Sequence, residues 1–264
     1  MFENAPVISI IVPTYREEAN LRPLLARIGA ALGPRAEPYE VIIVDDDSRD
    51  GTDQAVRELA ERFPVELIAR TGVRDLSLAV LAGLDRARGR YLVVMDADLS
   101  HPPEQIPAMV ALLADGSADF VIGSRYVSGG RTEDWGGRRR LNSLAATLLA
   151  RPLTGRIRDP MAGFFALRRE TFAKARERLD PIGYKIGLEL ICRCECRRVA
   201  EVPITFHNRV RGQSKLNLRQ QALYLTHLDR LYRDYRRGWG LLLRPVLWMM
   251  LAAISTLQRL TQSG

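Results

Sequence analysis

Apolar and polar positions alternate along the chain with two different periods. Val7 to Val12 is apolar apart from Ser9 and rich in β-branched residues, the pattern of a strand covered on both faces. Leu21, Leu24, Leu25, Ile28 and Leu32 then recur at helical spacing. Pro23 fits the first turn of that helix, and Gly33-Pro34 stops it. The alternation repeats. Strand Val41–Val44 leads through Ser48-Arg49-Asp50-Gly51 to a helix over Thr52–Arg62, and a short strand follows at Val65–Ile68. A helix over Leu76–Ala87 presents Leu76, Val80, Leu84 and Ala87 on one face. Strand Tyr91–Met95, a helix over Glu104–Leu113 behind Pro102-Pro103, and strand Phe120–Ile122 complete the series. Repeated strand–helix units predict a Rossmann-like α/β fold, a mainly parallel, doubly wound sheet flanked by helices. Ligands of such sheets bind beyond the carboxyl ends of the strands. No internal repeat, GxGxxG or Walker A loop is present.

The second half is less regular. Ser124 to Arg140, rich in Gly, Arg and Ser, reads as a mobile loop, followed by a helix over Leu141–Ala150. Gly163–Leu167 and Val199–Phe206 read as extended, with Pro203 marking an edge strand or a bend. Glu170–Arg178 and Lys185–Cys192 read as helices. Beyond Leu218 the residues Leu225, Leu228, Leu231, Tyr232 and Tyr235 keep helical spacing, with Arg219, Arg230, Arg233, Arg236 and Arg237 between or after them. The last apolar core, Pro245–Ile254, is too short to span a bilayer, and the longer stretch Trp239–Leu257 contains Arg244 and Pro245. Three readings of it stand open: an interfacial or re-entrant helix, a true span with Arg244 snorkelling near its start, and a packing helix or oligomer contact. The expected division is a catalytic domain over 1–215, a basic amphipathic helix over 216–237 and an apolar, membrane-associated tail over 238–264.

A chain of 264 residues with 47% hydrophobic residues can bury a substantial core. The net charge of +8 comes almost wholly from arginine, since the lysines are Lys174, Lys185 and Lys215. Arginine suits phosphate through its bidentate fork, and the charge favours an anionic partner: nucleic acid, an acidic membrane surface or phosphorylated substrates. The expectation adopted is phosphorylated substrates at a membrane surface, with no nucleic acid. Cys192, Cys194 and Cys196 make no disulfide framework or zinc pattern and fit a reducing compartment. The N-terminal MFENAPVISIIVPTY lacks a basic leader region, so the catalytic part is expected at the cytoplasmic face of a membrane, peripheral or anchored by its C-terminus.

Candidate chemistry sits at strand ends. Asp45-Asp46-Asp47 follows one buried strand and Asp96-Ala97-Asp98 another. Parallel strands would bring both clusters to one sheet edge, where their mutual repulsion calls for a counter-ion. Carboxylates without histidine or thiol partners point to Mg2+ or Mn2+, which would neutralise a diphosphate leaving group. Asp96 and Asp98 can both reach one ion from a strand end.

The stretches VPTYREEANL, IIVDDDSRDGT, VVMDADLSHPPE, IGSRY, DPMAGFFALRRE, GYKIGLEL, EVPITF and RVRGQSK, in this order over roughly residues 7–230, resemble the dolichol-phosphate mannose synthase branch of the family-2 glycosyltransferases. The resemblance implies a GT-A catalytic domain and inverting transfer of a hexose, mannose from GDP-mannose before glucose from UDP-glucose, to a dolichyl or undecaprenyl phosphate. It implies that Pro13, Tyr15 and Glu17 hold the nucleotide and that Val44 and Asp46 touch base and ribose. It further implies that Asp96, Ala97 and Asp98 form the metal and diphosphate site. Arg125, Arg209 and Lys215 then match basic residues around the phosphates. Some members carry glutamine as a metal ligand where this chain has Ser100, a poorer ligand that water can replace.

The physics supports the transfer independently. A polyprenyl phosphate is ionised at neutral pH and needs no base to activate it, but it does need cations to approach a second phosphate. Asp98 and Arg125 are therefore the expected catalytic groups. Arg138-Arg139-Arg140 reads as a solvated patch or a lipid contact, and His101 as a helix-entry residue. Two other classes compete. An aspartyl-phosphate hydrolase would use Asp96 as nucleophile, but its later motifs are not evident and the upstream acids go unexplained. A non-enzymatic basic scaffold at a membrane would tolerate loss of Asp98.

Overall fold

Strand β1 (Ile8–Thr14) is buried along its whole length, as its mostly apolar run requires. The structure is a computed structural model that describes residues 5–33, 37–133, 137–207, 218–235 and 240–262. Helix α1 (Glu18–Leu32) buries Leu21, Leu24, Leu25, Ile28 and Leu32. It starts at Glu18, ahead of Asn20, so Pro23 falls in the second turn and not the first, and removes one helix hydrogen bond near the amino end. Then come β2 (Tyr39–Asp45), α2 (Thr52–Leu59), β3 (Val65–Ala69), α3 (Leu76–Arg86), β4 (Tyr91–Val94), α4 (Ile106–Ala114) and β5 (Phe120–Ser124). A 3-10 turn at Pro103–Gln105 precedes α4, and α2 stops short of the predicted Arg62. On α3 the buried face is carried by Val80 and Leu84, while Leu76 is exposed.

Strand β6 (Arg131–Thr132) and the first turn of helix α5 (Gly137–Thr154) fall within the stretch predicted as a loop. Backbone pairing of β6 with a distant strand overrides the local Gly and Ser content. The chain continues with β7 (Phe165–Arg168), α6 (Arg169–Ala175), α7 (Ile186–Arg193), β8 (Val199–Pro203), β9 (Thr205–Phe206), α8 (Leu218–Tyr235) and α9 (Gly240–Gln262).

Seven strands form one sheet in the order β3-β2-β1-β4-β7-β5-β8. Every pairing is parallel except those of β7, which runs antiparallel to both β4 and β5. Strand β8 is an edge strand, and after Pro203 the chain bends so that β9 pairs in parallel with β6. From β1 the chain winds outward through β2 and β3, then returns to the other side of β1 as β4. That reversal is the switch point beyond which doubly wound sheets bind ligands.

Alternate residues of β1 serve opposite faces. Ile8, Ile10 and Val12 pack with α1 and α4, and Ile11 packs with α3 and α7. Gly83 lets α3 lie directly on the sheet, because a Cβ there would sit 2.4 Å from an Ile11 methyl carbon. A third cluster is built from helices: Ala150 of α5, Leu188 and Cys192 of α7, Leu228 and Leu231 of α8, and Leu247 of α9. Cys192 joins this cluster, whereas Cys194 and Cys196 pack toward the sheet, so all three thiols serve packing. Among the described residues, no helix is long and apolar enough to cross a membrane, and α9 packs along α8 through Leu243, Leu247 and Leu251.

Candidate active site

Four loops leave the carboxyl edge of the sheet and carry the chemistry. After β2 the three aspartates diverge. Asp45 accepts from the Ser48 backbone N–H at 2.8 Å and from the Thr14 hydroxyl at 3.1 Å, tying the first two loops together. Asp46 turns toward the end of β3: it pairs with Arg70 and accepts the Asp75 N–H at 3.1 Å. Burial pushes the Asp46 carboxyl up, against the opposing pull of Arg70. Asp47 pairs with Arg49 at the surface. The expected repulsion within this cluster is therefore relieved residue by residue, by Ser48, Arg70 and Arg49, and no shared cation is needed to explain it. Sequence cannot show this, because Arg70 lies on a different strand unit.

After β1, Pro13 is buried within the strand, while Tyr15 stands half-exposed with the Arg74 guanidinium 4.4 Å from its ring centroid. Glu17 accepts from the Asn20 amide at 2.6 Å. Val44 is fully buried in β2. Pro13, Tyr15, Glu17, Val44 and Asp46 thus share the β1–β2 side of the edge.

After β4 the backbone kinks at Leu99, which adopts φ +63°. Asp98 is almost wholly buried, and its Oδ1 accepts both the N–H of Ser100 at 3.1 Å and the Ser100 hydroxyl at 2.5 Å. Ser100 thus orients Asp98 by donation. Asp96 is more open, with 32% of its side chain exposed. Its N–H donates to His101 Nδ1 at 3.0 Å, which leaves Nε2 to carry the ring proton, 3.9 Å from Asp96 Oδ2. His101 is buried, stacked on Phe164 at 5.3 Å, and burial pushes its pKa down. It is a support beneath Asp96, at the entry to the 3-10 turn that precedes α4. Ala97 is buried between the two acids. Gly163 passes so close that a Cβ there would lie 3.4 Å from Asp96 Oδ2.

Asp96 and Asp98 offer hard oxygen donors, and among the described residues no set of three His, Cys, Asp or Glu side chains converges on one point. A dication held by few protein ligands, completed by phosphate oxygens and water, fits that donor set.

After β5, Arg125 meets Asp159, a residue with no exposure, through Nε at 2.7 Å and a terminal nitrogen at 2.6 Å. Its backbone N–H donates to the same carboxylate at 3.0 Å. Glu201 on β8 accepts the N–H groups of Arg158 and Asp159, both at 2.9 Å, and so fixes the loop that holds Asp159. Burial opposes the charge on Arg125, but the Asp159 carboxylate outweighs it and raises the guanidinium pKa. Lys185, just ahead of α7, donates to the Met161 carbonyl at 2.8 Å. Burial and the charge of Arg125 draw its amine down to about 8.

Asp159, Glu201 and Lys185 were not singled out from the sequence. Asp159 and Lys185 lie inside the quoted stretches DPMAGFFALRRE and GYKIGLEL, which was the one signal available. Arg209 and Lys215 lie outside the described residues, as do the side chains of Arg138, Arg139 and Arg140. His207, the last residue described before that stretch, donates its N–H to the Ser100 carbonyl at 3.2 Å.

An open, mostly parallel sheet with an Asp-Ala-Asp turn beside its switch point defines a GT-A type glycosyltransferase domain. The chain belongs to glycosyl transferase family 2, whose profile matches residues 9–176. It is 44% identical over 229 residues to a dolichol-phosphate mannosyltransferase of Pyrococcus furiosus, covering 86% of this chain and 64% of that one. The dolichol-phosphate mannosyltransferase of Saccharomyces cerevisiae is 41% identical over 252 residues, covering 92% and 93%. Among solved structures, glucosyl-3-phosphoglycerate synthase from Mycobacterium tuberculosis in complex with Mn2+, UDP-glucose and phosphoglyceric acid superposes with a TM-score of 0.61 at 22% identity. That match covers 86% of this chain and 80% of the other, and it bears on the fold.

Proposed function

We propose that this chain transfers mannose from GDP-mannose to a polyprenyl phosphate, with inversion at the anomeric carbon. The observation that carries the reading is the juxtaposition along one sheet edge of an acid pair, Asp96 and Asp98, and a buried, clamped guanidinium, Arg125. The identity of 41% to 44% with dolichol-phosphate mannosyltransferases supports the choice of sugar and lipid. The nucleoside belongs on the β1–β2 side with Tyr15, Glu17, Val44 and Asp46. The acceptor belongs on the side of Arg125.

Asp96 and Asp98 would hold Mg2+ or Mn2+, which supplies charge neutralisation for the departing diphosphate. Ser100 keeps Asp98 aimed, and His101 supports Asp96 from below. The acceptor phosphate is an anion before it binds, so no protein base has to remove a proton. Arg125, held by Asp159, orients the incoming phosphate beside the donor. Arg209 and Lys215 add positive charge by the resemblance. The acceptor's long apolar tail places the reaction at a membrane surface, which supports a peripheral location.

The test is a panel of radiolabelled GDP-mannose and UDP-glucose with a short polyprenyl phosphate and Mn2+, counting label in the organic phase. Label from GDP-mannose, abolished by chelation and lowered at least about 100-fold in kcat by Asp98→Asn, is the expected result. Label from UDP-glucose alone would replace the sugar, and near-normal turnover in Asp98→Asn would overturn the mechanism.

A further inference from the structure

Arg125 has a limitation as a phosphate receptor. Its charge is matched by Asp159 through two short hydrogen bonds, so the pair is close to neutral as a unit. A phosphate monoester carries between one and two negative charges near neutrality. A neutral pair can orient such an anion but offers little net attraction. The acids Asp96 and Asp98 oppose it.

We propose that Lys185 receives the acceptor's phosphate, as a cation that no described carboxylate pairs with, beside Arg125. The inference deepens the function proposed above and rests on it. The Lys185 ammonium carries three N–H donors, and its hydrogen bond is to a neutral carbonyl, that of Met161. Among the described residues, no carboxylate lies within ion-pair distance of it. Burial and the nearby Arg125 draw its amine down, while Asp159 and Asp96 act in the opposite direction at longer range. An arriving phosphate supplies the ammonium with an anionic partner.

The surroundings of the lysine favour the acceptor over the donor diphosphate. The 159–162 loop leads into β7 next to β5 and Arg125, and Lys185 bonds that loop. Gly183 of the same turn donates to Asp75, whose own N–H holds Asp46, so the turn also reaches the nucleoside side of the acid pair. Lys185 also opens α7, whose Leu188 and Cys192 join the helical cluster with α5, α8 and α9, and Met161 and Tyr184 belong to the same cluster. A phosphate at Lys185 therefore has the polar sheet edge on one side and the apolar cluster on the other.

The alternative is that Lys185 merely ties the 161 loop to α7. Steady-state kinetics of the full chain separate the two, using GDP-mannose, Mn2+ and a short polyprenyl phosphate, with a thermal melt of each variant. Lys185→Gln is expected to raise the acceptor KM at least about 10-fold, and Lys185→Arg to restore most of that loss. The donor KM and the melting temperature should stay near wild type in both. An unchanged acceptor KM in Lys185→Gln overturns the inference. So does a rise in donor KM in its place, or a lowered melting temperature that Lys185→Arg shares. If the wild-type chain moves no sugar to the lipid phosphate, the proposed function fails and this inference with it. Wild-type transfer with an unaffected Lys185→Gln defeats this inference alone.

Discussion

Two oxygens of one serine residue's neighbour illustrate how finely the acid pair is set. Ser100 directs both its N–H and its hydroxyl to Oδ1 of Asp98, which fixes the direction the carboxylate faces. Ser100→Ala removes the hydroxyl and leaves the backbone bond. Partners that orient a metal ligand contribute about 10-fold to 100-fold in metal affinity or activity, so the Mn2+ concentration for half-maximal turnover should rise by about 10-fold. A Mn2+ titration of turnover checks this, and an unshifted curve means Asp98 holds its orientation without the hydroxyl. Asp159 is set more firmly still. Removing one partner of a buried ion pair costs about 3–5 kcal/mol, because the other charge stays buried alone. Asp159→Asn should therefore lower stability by about that amount in a urea melt and also lower turnover. Replacing both partners, Arg125→Met with Asp159→Leu, should recover most of the stability and none of the turnover. If the double variant is as unstable as the single one, the pair is not what the loop depends on.

At the scale of elements, the first half was legible because each β–α unit is nearly self-contained. The period-3.6 leucines of α1 and the apolar run of β1 dictate burial without help from distant residues. The reversed strand β7 was read as extended, but nothing in Phe165–Arg168 states its direction, since direction is fixed by which neighbours it joins. Strand β6 was missed for the same reason: two residues, Arg131 and Thr132, become a strand only when β9 arrives from seventy residues away in the chain. The acid turn Asp96–Asp98 was visible as a motif after a strand. Asp159 was not visible as Arg125's partner, because that contact joins two separate loops.

Helix α7 shows a further contact of this long-range kind. Glu189 has no exposure, accepts the Asp180 N–H at 2.8 Å and the Arg193 Nε–H at 3.1 Å, and meets His227 Nε2 of α8 at 2.7 Å. Burial alone would raise its pKa, but the His227 hydrogen bond, the Asp180 N–H and the charge of Arg193 outweigh it and hold the carboxyl below its usual range. A depressed folded pKa contributes stability above the ordinary carboxylate value of about 4.3, and that stability is lost as pH falls through the lower folded value. Glu189→Gln should cost about 1–3 kcal/mol at neutral pH and flatten the acid limb of the stability curve. Denaturant melts across the acid range check both, and an acid limb as steep as wild type would show that another carboxylate governs it.

On the whole molecule, two apolar surfaces border the same helical cluster. Leu141, Leu144 and Leu148 of α5 are 65%, 55% and 50% exposed, and Leu242, Trp248 and Met249 of α9 are 76%, 56% and 65% exposed. Single exposed hydrophobes are ordinary, but these fall on two helices that pack with α8, in a chain of net charge +8. Binding to a lipid surface would take these residues out of water. The expectation is flotation of the full chain with vesicles containing anionic lipid, weakening as salt rises because the basic contribution is screened. Burying a leucine is worth about 1.5–3 kcal/mol, so Leu141→Ser with Leu144→Ser and Leu148→Ser should lower vesicle partition by at least about 100-fold. Turnover with a short, water-soluble prenyl phosphate should remain near wild type in that variant, since none of the three contacts the acid pair or Arg125. Unaltered flotation of the triple variant would move the membrane contact to α9, where Leu242→Ser with Met249→Ser is the corresponding change. If both variants float like wild type, the apolar faces of α5 and α9 do not meet lipid at all.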